Sequence, residues 1–354
     1  MRADAPGDAT ELLGDLCGVQ AQEPLAALLA VQVRSQGMVA SQVERVRVRE
    51  RAIVRTWCMR GTLHLLATED LGWLLPLLGP EFVRKSRRRY AQLGLDEEIC
   101  IMAVQAIRAI LGDQGPMTRA ELAAHLAERG IPTEGQAAYH LLRRAGLEGI
   151  ICFGPDHDGE PTYVALADWA PIGGALGGDA ARAELVRRYL AAFGPARPED
   201  LATWSGLSLR EARAGFETIA AELLEVDVGD TSAWLPSIRA SWLDEPLEDG
   251  VVVRLLPGYD PYLLGYRGRD LTVPKQFAKR VHPGGGLLRP TLLVNGQAAG
   301  IWKLVKSRGD QMVEVEPFIG LGDEVLGPLE EQVRKLGRFL ERFLVLGTLA
   351  ADGQ

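Results

Sequence analysis

Two hydrophobic rhythms alternate along the chain. Apolar residues three and four apart mark helix faces, and short β-branched or apolar runs bounded by glycine mark strands. The clearest alternation begins after Gly115. Thr118-Arg-Ala-Glu121 has the spacing of a capping box, and Leu122 and Leu126 then predict a helix that stops at Gly130. Thr133-Glu-Gly-Gln136 repeats the spacing and predicts a second helix through Tyr139 and Leu142, ended by Gly146 or Gly149. Ile150–Phe153, the turn-rich Gly154–Gly159 and Thr162–Leu166 predict a hairpin. Helix, helix, hairpin is the order of a winged helix.

The order recurs from Arg182. One helix runs to Phe193, Pro198 suits the first turn of a short helix ending at Ser205-Gly206, and Ser208-Leu-Arg-Glu211 opens a third to about Glu222. Leu223–Val228 and Ser232–Leu235 predict strands around a Gly229-Asp230 turn. A looser copy lies upstream, with a capping box at Ser41-Gln-Val-Glu44 and strands at Val54–Met59 and Leu63–Ala67 around Gly61. After Leu235 the pattern changes. Val251–Leu256, then Pro290–Val294, Asn295-Gly296 and Gln297–Lys306, then Gln311–Val315, predict a small sheet or barrel, with Asn-Gly the hairpin turn. Leu329, Val333, Leu336, Leu340 and Phe343 predict a closing helix with one apolar face. The fold class is α+β. The expected divisions are 1–112 (first module and a basic helix), 113–178 (second module), 179–245 (third module) and 246–354 (barrel and terminal helix).

Composition adds exclusions. With 47% hydrophobic and 24% charged residues, the 354-residue chain is ordinary for a folded protein. A net charge of −8 excludes binding of nucleic acid by bulk charge, though not by a local basic groove. Cys17, Cys58, Cys100 and Cys152 are scattered singly, which fits free thiols in a reducing cytoplasm. Met1–Gly14 has no apolar leader core, and no apolar stretch approaches the roughly 20 residues of a membrane helix. A cytoplasmic protein without membrane contact is expected. Phosphate-loop, dinucleotide, zincin and nucleophile-elbow motifs are all missing. The five histidines are scattered, so neither a metal site nor a cofactor is expected.

Three constellations can carry chemistry. Arg84-Lys85-Ser86-Arg87-Arg88-Arg89 holds five basic residues in six positions, and the reading is phosphate contact. Smaller clusters lie at Arg143-Arg144, Arg187-Arg188, Lys275/Lys279/Arg280 and Lys303/Lys306/Arg308, each either a solvated face or a phosphate contact. In Gly18-Val-Gln20-Ala21-Gln22-Glu-Pro24, two glutamines flank one small residue; if extended, Gln20 and Gln22 point the same way. Two amides can position water but are weak bases, so their substrate must already be primed to break. In Arg55–His64, Arg60, Thr62 and His64 surround a glycine turn, either as a wing with a buried histidine or as the wall of a base or phosphate pocket.

Taken in order, Gly18–Gly37, Arg55–Leu66, Arg84–Leu95, Leu255-Leu-Pro-Gly-Tyr-Asp-Pro-Tyr-Leu-Leu-Gly-Tyr-Arg267 and Arg289–Trp302 resemble the winged-helix DNA glycosylase superfamily typified by AlkZ and YcaQ, from about residue 12 to the C-terminus. The resemblance implies three tandem winged helices and a C-terminal β-barrel. It also implies hydrolysis of the N-glycosidic bond of alkylated purines, including interstrand crosslinks, in repair or toxin self-resistance. Gln20 and Gln22 match the AlkZ-type Q-x-Q, whereas the YcaQ type has an aspartate at the second position. The middle residue is usually a larger aliphatic, and Ala21 is expected to alter pocket shape and lesion choice. A crosslink resists full flipping, so an open surface is implied, with a hairpin entering a groove. Gly154–Glu160 and His282–Arg289 are the two candidates for it. Gln20 and Gln22 are thus the expected catalytic pair. Arg60, Thr62, His64, Arg84, Lys85, Arg87, Arg88 and Arg89 are the expected DNA contacts. The expected partner is double-stranded DNA carrying alkylated guanine, met by a monomer. The alternative is a non-catalytic winged-helix transcriptional regulator.

Overall fold

The computed structural model describes residues 7–170, 172–246, 250–307 and 310–349. Met1–Pro6, at the head of the segment read for a leader, and Arg308 of the last basic cluster lie outside them. The N-terminal region comprises α1 (Ala9–Asp15), β1 (Val19–Gln20), α2 (Pro24–Gln32), α3 (Ala40–Arg45), β2 (Ile53–Trp57), β3 (Leu63–Ala67) and α4 (Leu71–Gln92). Next come α5 (Glu97–Gln114), β4 (Met117–Thr118), α6 (Arg119–Glu128), α7 (Ala137–Leu147), β5 (Ile151–Phe153), β6 (Thr162–Ala165) and α8 (Leu166–Trp169). A third group holds α9 (Gly178–Phe193), α10 (Pro198–Ser205), α11 (Leu209–Thr218), β7 (Leu223–Val228) and β8 (Thr231–Pro236). The C-terminal part is β9 (Val253–Leu256), α12 (Pro261–Leu264), α13 (Ala278–Val281), β10 (Thr291–Val294), β11 (Gln297–Ser307), β12 (Asp310–Pro317), α14 (Asp323–Phe339) and β13 (Leu344–Leu349). The fold is mixed α+β.

Local signals decide several helix starts. The Thr118 hydroxyl caps the Glu121 amide while the Glu121 carboxylate accepts from Thr118, and Ser208 and Glu211 do the same for α11. Two predicted boxes do not form. At Thr133, Gly135 takes a left-handed φ of 60° and Gln136 turns to accept from Arg89, so α7 starts at Ala137. At Ser41, the Gln42 side chain caps the Val39 amide instead, so α3 starts at Ala40, and Glu44 pairs with Arg47.

The first two hairpins join one six-stranded sheet, ordered β1-β3-β2-β5-β6-β4. The seam is Arg55 opposite Phe153. Across it the Arg55 guanidinium lies 4.6 Å from the Phe153 ring centre, and Trp57 packs on Phe153 and Tyr163. One core runs from Cys17 through these strands and α4–α7 to Ile219. The α4–α7 crossing is tight: a Cβ on Gly79 would stand 2.0 Å from the Leu147 carbonyl oxygen.

A second core joins α1–α3 to the C-terminal sheet and α14. That sheet has the order β13-β12-β11-β10-β9, with β13 parallel to β12 and the other pairs antiparallel. Of the expected small sheet or barrel it forms an open sheet, with β13 and β9 at its two edges. Helix α14 touches both edge strands, β9 and β13, and lays Val325, Leu329, Val333, Leu336 and Phe339 against Val253, Leu255, Val313 and Val315. The helix thus covers a face that closure would otherwise bury. Nor does the chain close on the helix, because β13 follows it. Phe343 departs from the predicted stripe: Glu341 turns left-handed at φ 55° and leaves Phe343 80% exposed. Asn295 and Gly296, both at positive φ, form the expected hairpin turn. Among the described residues no helix is long and apolar enough to cross a membrane.

Candidate active site

The two glutamines sit where the two cores meet. Helix α1 ends in a left-handed pair, Cys17 at φ 53° and Gly18 at φ 91°, and a Cβ on Gly18 would fall 2.4 Å from the Leu66 side chain. That turn delivers β1 to the sheet edge, with Val19 opposite Leu65 and Gln20 opposite His64. Both backbone groups of Ala21 are taken: its N–H donates to the Leu63 carbonyl at 2.7 Å, and its carbonyl accepts from Arg55 Nε at 3.0 Å. Val19 and Ala21 are 1% exposed and face the core, whereas Gln20 is half-buried and Gln22 exposed. This is the alternation that sends both amides to the other side. The Ala21 methyl packs in the core, on the face opposite the amides.

Pro24 then opens α2, and the distant Leu255–Arg267 segment closes on it. Beyond the end of α2, Arg34 grips the fully buried Asp260 with both η-nitrogens, at 2.8 and 2.6 Å. Asp260 also caps the Tyr262 amide. Its neighbour Tyr259 takes a left-handed φ of 59°, and its phenol is held above its ordinary pKa by burial and by the charge of Glu23, beside Gln22. Tyr259 was not among the sequence candidates. Its sign was the Gly-Tyr-Asp-Pro motif in a segment otherwise read only for resemblance.

Arg60 and Gly61, at φ 54° and 65°, make the β2–β3 turn. The Arg60 guanidinium donates to Gln20 Oε1 at 2.7 Å and to the Trp204 carbonyl at the end of α10. Burial, and then the nearby Arg269, lowers its pKa to about 10. Thr62 is half-buried, its hydroxyl donating to the Met59 carbonyl at 3.1 Å. His64, opposite Gln20 on the sheet, is 2% exposed, as in the buried-histidine alternative. Its Nδ1 lies 3.0 Å from the Thr62 carbonyl, an acceptor, so Nδ1 carries the proton. Burial, reinforced by Arg60, holds its pKa down to about 3, and the ring stays neutral.

All four thiols are buried, and burial pushes Cys58 and Cys152 up to about 12, which removes them as nucleophiles. Among the described residues no group of three or more His, Cys, Asp or Glu is placed to hold a metal.

Against this geometry, the sequence model described as DNA glycosylase AlkZ-like matches residues 13–339. The chain belongs to the AlkZ-like DNA glycosylase family. A relative named as an interstrand DNA cross-link repair glycosylase, from Streptomyces sahachiroi, is 30% identical over 332 residues, 88% of this chain and 85% of that one. The solved structure of the Streptomyces sahachiroi DNA glycosylase AlkZ has a TM-score of 0.83 at 24% identity, covering 98% of this chain and 94% of its own; that likeness carries the fold. The protein is therefore an enzyme of the DNA glycosylase class, and membership in the family favours this over the regulator.

A glycosylase must meet phosphates, and the basic clusters differ sharply in what they leave free. In this AlkZ-like enzyme Arg144 is 4% exposed and bound to Glu97 and Glu148, while Arg143 reaches the Gly61 carbonyl and Ser86. Arg187 pairs with Glu222, and Arg188 with Glu184 and Asp70. Lys275 pairs with Asp270, Arg280 with Glu316 and Lys303 with Glu314. On α4, Arg84 and Lys85 share Glu81, Lys85 also donates to the Gly206 carbonyl, and Arg89 reaches Gln92 and Gln136. Arg87 and Arg88 are exposed, and among the described residues neither has a hydrogen-bond or ion-pair partner.

Proposed function

We propose that this enzyme is a monofunctional DNA glycosylase that hydrolyses the N-glycosidic bond of N7-alkylguanine, including adducts tethered to both strands, in repair or toxin self-resistance. The observation that carries the reading is the Gln20–Ala21–Gln22 segment: its middle residue is pinned on both backbone groups and buried, while Gln20, on edge strand β1, is half-buried and Gln22, just beyond the strand, is exposed. Alkylation at N7 makes the purine cationic. The C1′–N9 bond can then break with its electron pair leaving on the base, through an oxocarbenium-like state. Water adds its oxygen to C1′ and gives up a proton, leaving an abasic site and the free alkylpurine.

Neutral amides orient water and partner a cation, but they supply less electrostatic help than a carboxylate would. Cationic lesions suit that supply and uracil does not. No lysine lies in Gly18–Pro24, so a Schiff-base lyase step is not part of the reading. The relative's name, with its interstrand cross-links, supports the tethered substrate, and the exposed tips at 156–160 and 283–287 are the two candidates for a hairpin that probes the duplex. Arg87 and Arg88 are the phosphate contacts that burial favours.

The test is incubation with duplexes carrying 7-methylguanine, a guanine–guanine crosslink, or uracil, followed by alkali. The expected result is alkali-dependent strand cleavage and free base from the first, unhooking of the second, and an untouched third. Release of uracil at a rate comparable to 7-methylguanine, or no release from either guanine substrate, overturns the reading.

A further inference from the structure

We propose that Arg60 is a positioning residue that locks the Gln20 amide with its oxygen turned inward, so that Gln20 offers substrate an N–H donor, and that the third helical group anchors this lock. The inference rests on the reading that Gln20 takes part in N-glycosidic hydrolysis.

Guanidinium has donors only. The Gln20 atom 2.7 Å from Arg60 Nη2 must therefore be the carbonyl oxygen, and the amide flip is settled by chemistry. Turning the oxygen toward Arg60 leaves Nε2 as the outward polar atom of Gln20. Gln22 is exposed, with no hydrogen bond to its side chain among the described residues. The two amides thus differ in role. Gln22 can offer its oxygen to water or to the developing cation, whereas Gln20 holds an acceptor oxygen of the nucleotide.

Arg60 is itself over-determined. A Cβ on Gly61 would stand 2.1 Å from Arg143 Nη2, and a Cβ on Gly206 would stand 3.2 Å from Arg60 Cα. Arg143 Nε donates to the Gly61 carbonyl at 3.1 Å. The second η-nitrogen of Arg60 ends on the Trp204 carbonyl, 144 residues away in sequence. A residue kept for phosphate contact would leave its guanidinium in solvent; this one is held on both sides by protein acceptors.

Three measurements on the full chain test the lock. Cleavage of 7-methylguanine duplex under single turnover, with duplex Kd measured alongside, is expected to slow on the order of tenfold to a hundredfold in Arg60→Met with Kd unchanged, and less in Arg60→Lys. In Gln20→Glu, which keeps a partner for Arg60 but removes the donor, the rate is expected to fall at least about tenfold at unchanged Kd. The third readout needs no substrate. With glutamine side chains labelled, the Gln20 amide resonances are expected to shift in Arg60→Lys while those of Gln22 stay in place. A Gln20→Glu variant that cleaves at the wild-type rate, or a Gln20 resonance indifferent to residue 60, overturns the proposal. Should the wild type release no 7-methylguanine, the reading of the function fails, and the resonances alone decide the lock. Should Arg60→Met fail to fold, Arg60→Lys and Gln20→Glu carry the test.

Discussion

Arg143-Arg144 and Arg87-Arg88 look alike as sequence, two adjacent arginines on a predicted helix, and the fold uses them in opposite ways. On α7 the pair points into the protein. Arg144 finds Glu148 one turn on and Glu97 on α5, while Arg143 clamps the β2–β3 turn and Ser86. On α4 Glu81 has already engaged Arg84 and Lys85, and among the described residues Arg87 and Arg88 form no ion pair, Arg87 acting on Glu97 only through its charge. A basic cluster becomes a candidate nucleic-acid contact only after its acids have been counted in space. In an acidic chain most clusters do not survive that count.

The sharpest way to break the contrast is Arg144→Met. It removes a buried guanidinium with hydrogen bonds to two carboxylates, but both acids are partly exposed and return to water. The expected loss is about 2–3 kcal/mol of unfolding free energy with DNA affinity unchanged, read from denaturant midpoints and a duplex titration. An affinity loss in the well-folded variant would place α7 on the DNA after all.

A second contrast, between buried His64 and exposed Gln22, is tested by acid. The unfolded chain takes up a proton on residue 64 near pH 6.5, whereas the folded protein resists it down to about 3. This share of stability is whole above pH 6.5 and falls by about 1.4 kcal/mol per pH unit below it, toward the folded pKa. Unfolding midpoints at pH 7 and pH 5 should lie further apart in the wild type than in His64→Gln. Equal slopes in the two proteins would show His64 protonating freely, hence solvated.

The smallest effect sharpens the α4 side. Arg87→Ala with Arg88→Ala should leave thermal stability unchanged and weaken duplex binding roughly tenfold at physiological salt. The log–log salt dependence should flatten by roughly 1.8, about 0.9 for each lost phosphate contact. An unchanged salt slope would show that both side chains stay in solvent when DNA binds.

Much of the fold was legible wherever the signal was local. Thr118/Glu121 and Ser208/Glu211 cap their own helices, Asn295-Gly296 turns its own hairpin, and Leu329, Val333 and Leu336 repeat on one face of α14. Thr133 misled because Gln136 is drawn to Arg89, 47 residues away, a competitor no local window contains. The choice between sheet and barrel stayed open for a similar reason, since strand spacing cannot tell whether a helix will span the two edges. At the site, the alternation of Val19, Gln20, Ala21 and Gln22 could be read from period two alone. The partners of Arg60 could not, because Gln20 and Trp204 lie 40 and 144 residues from it.

A role in cleavage, apart from binding, is proposed for Gln20 and Gln22. Single-turnover release of 7-methylguanine from duplex DNA by the wild type, Gln20→Ala and Gln22→Ala, with affinity for the same duplex measured alongside, tests it directly. Each variant is expected to bind as the wild type does and to release base roughly a hundredfold more slowly. Both variants releasing base at the wild-type rate would contradict it.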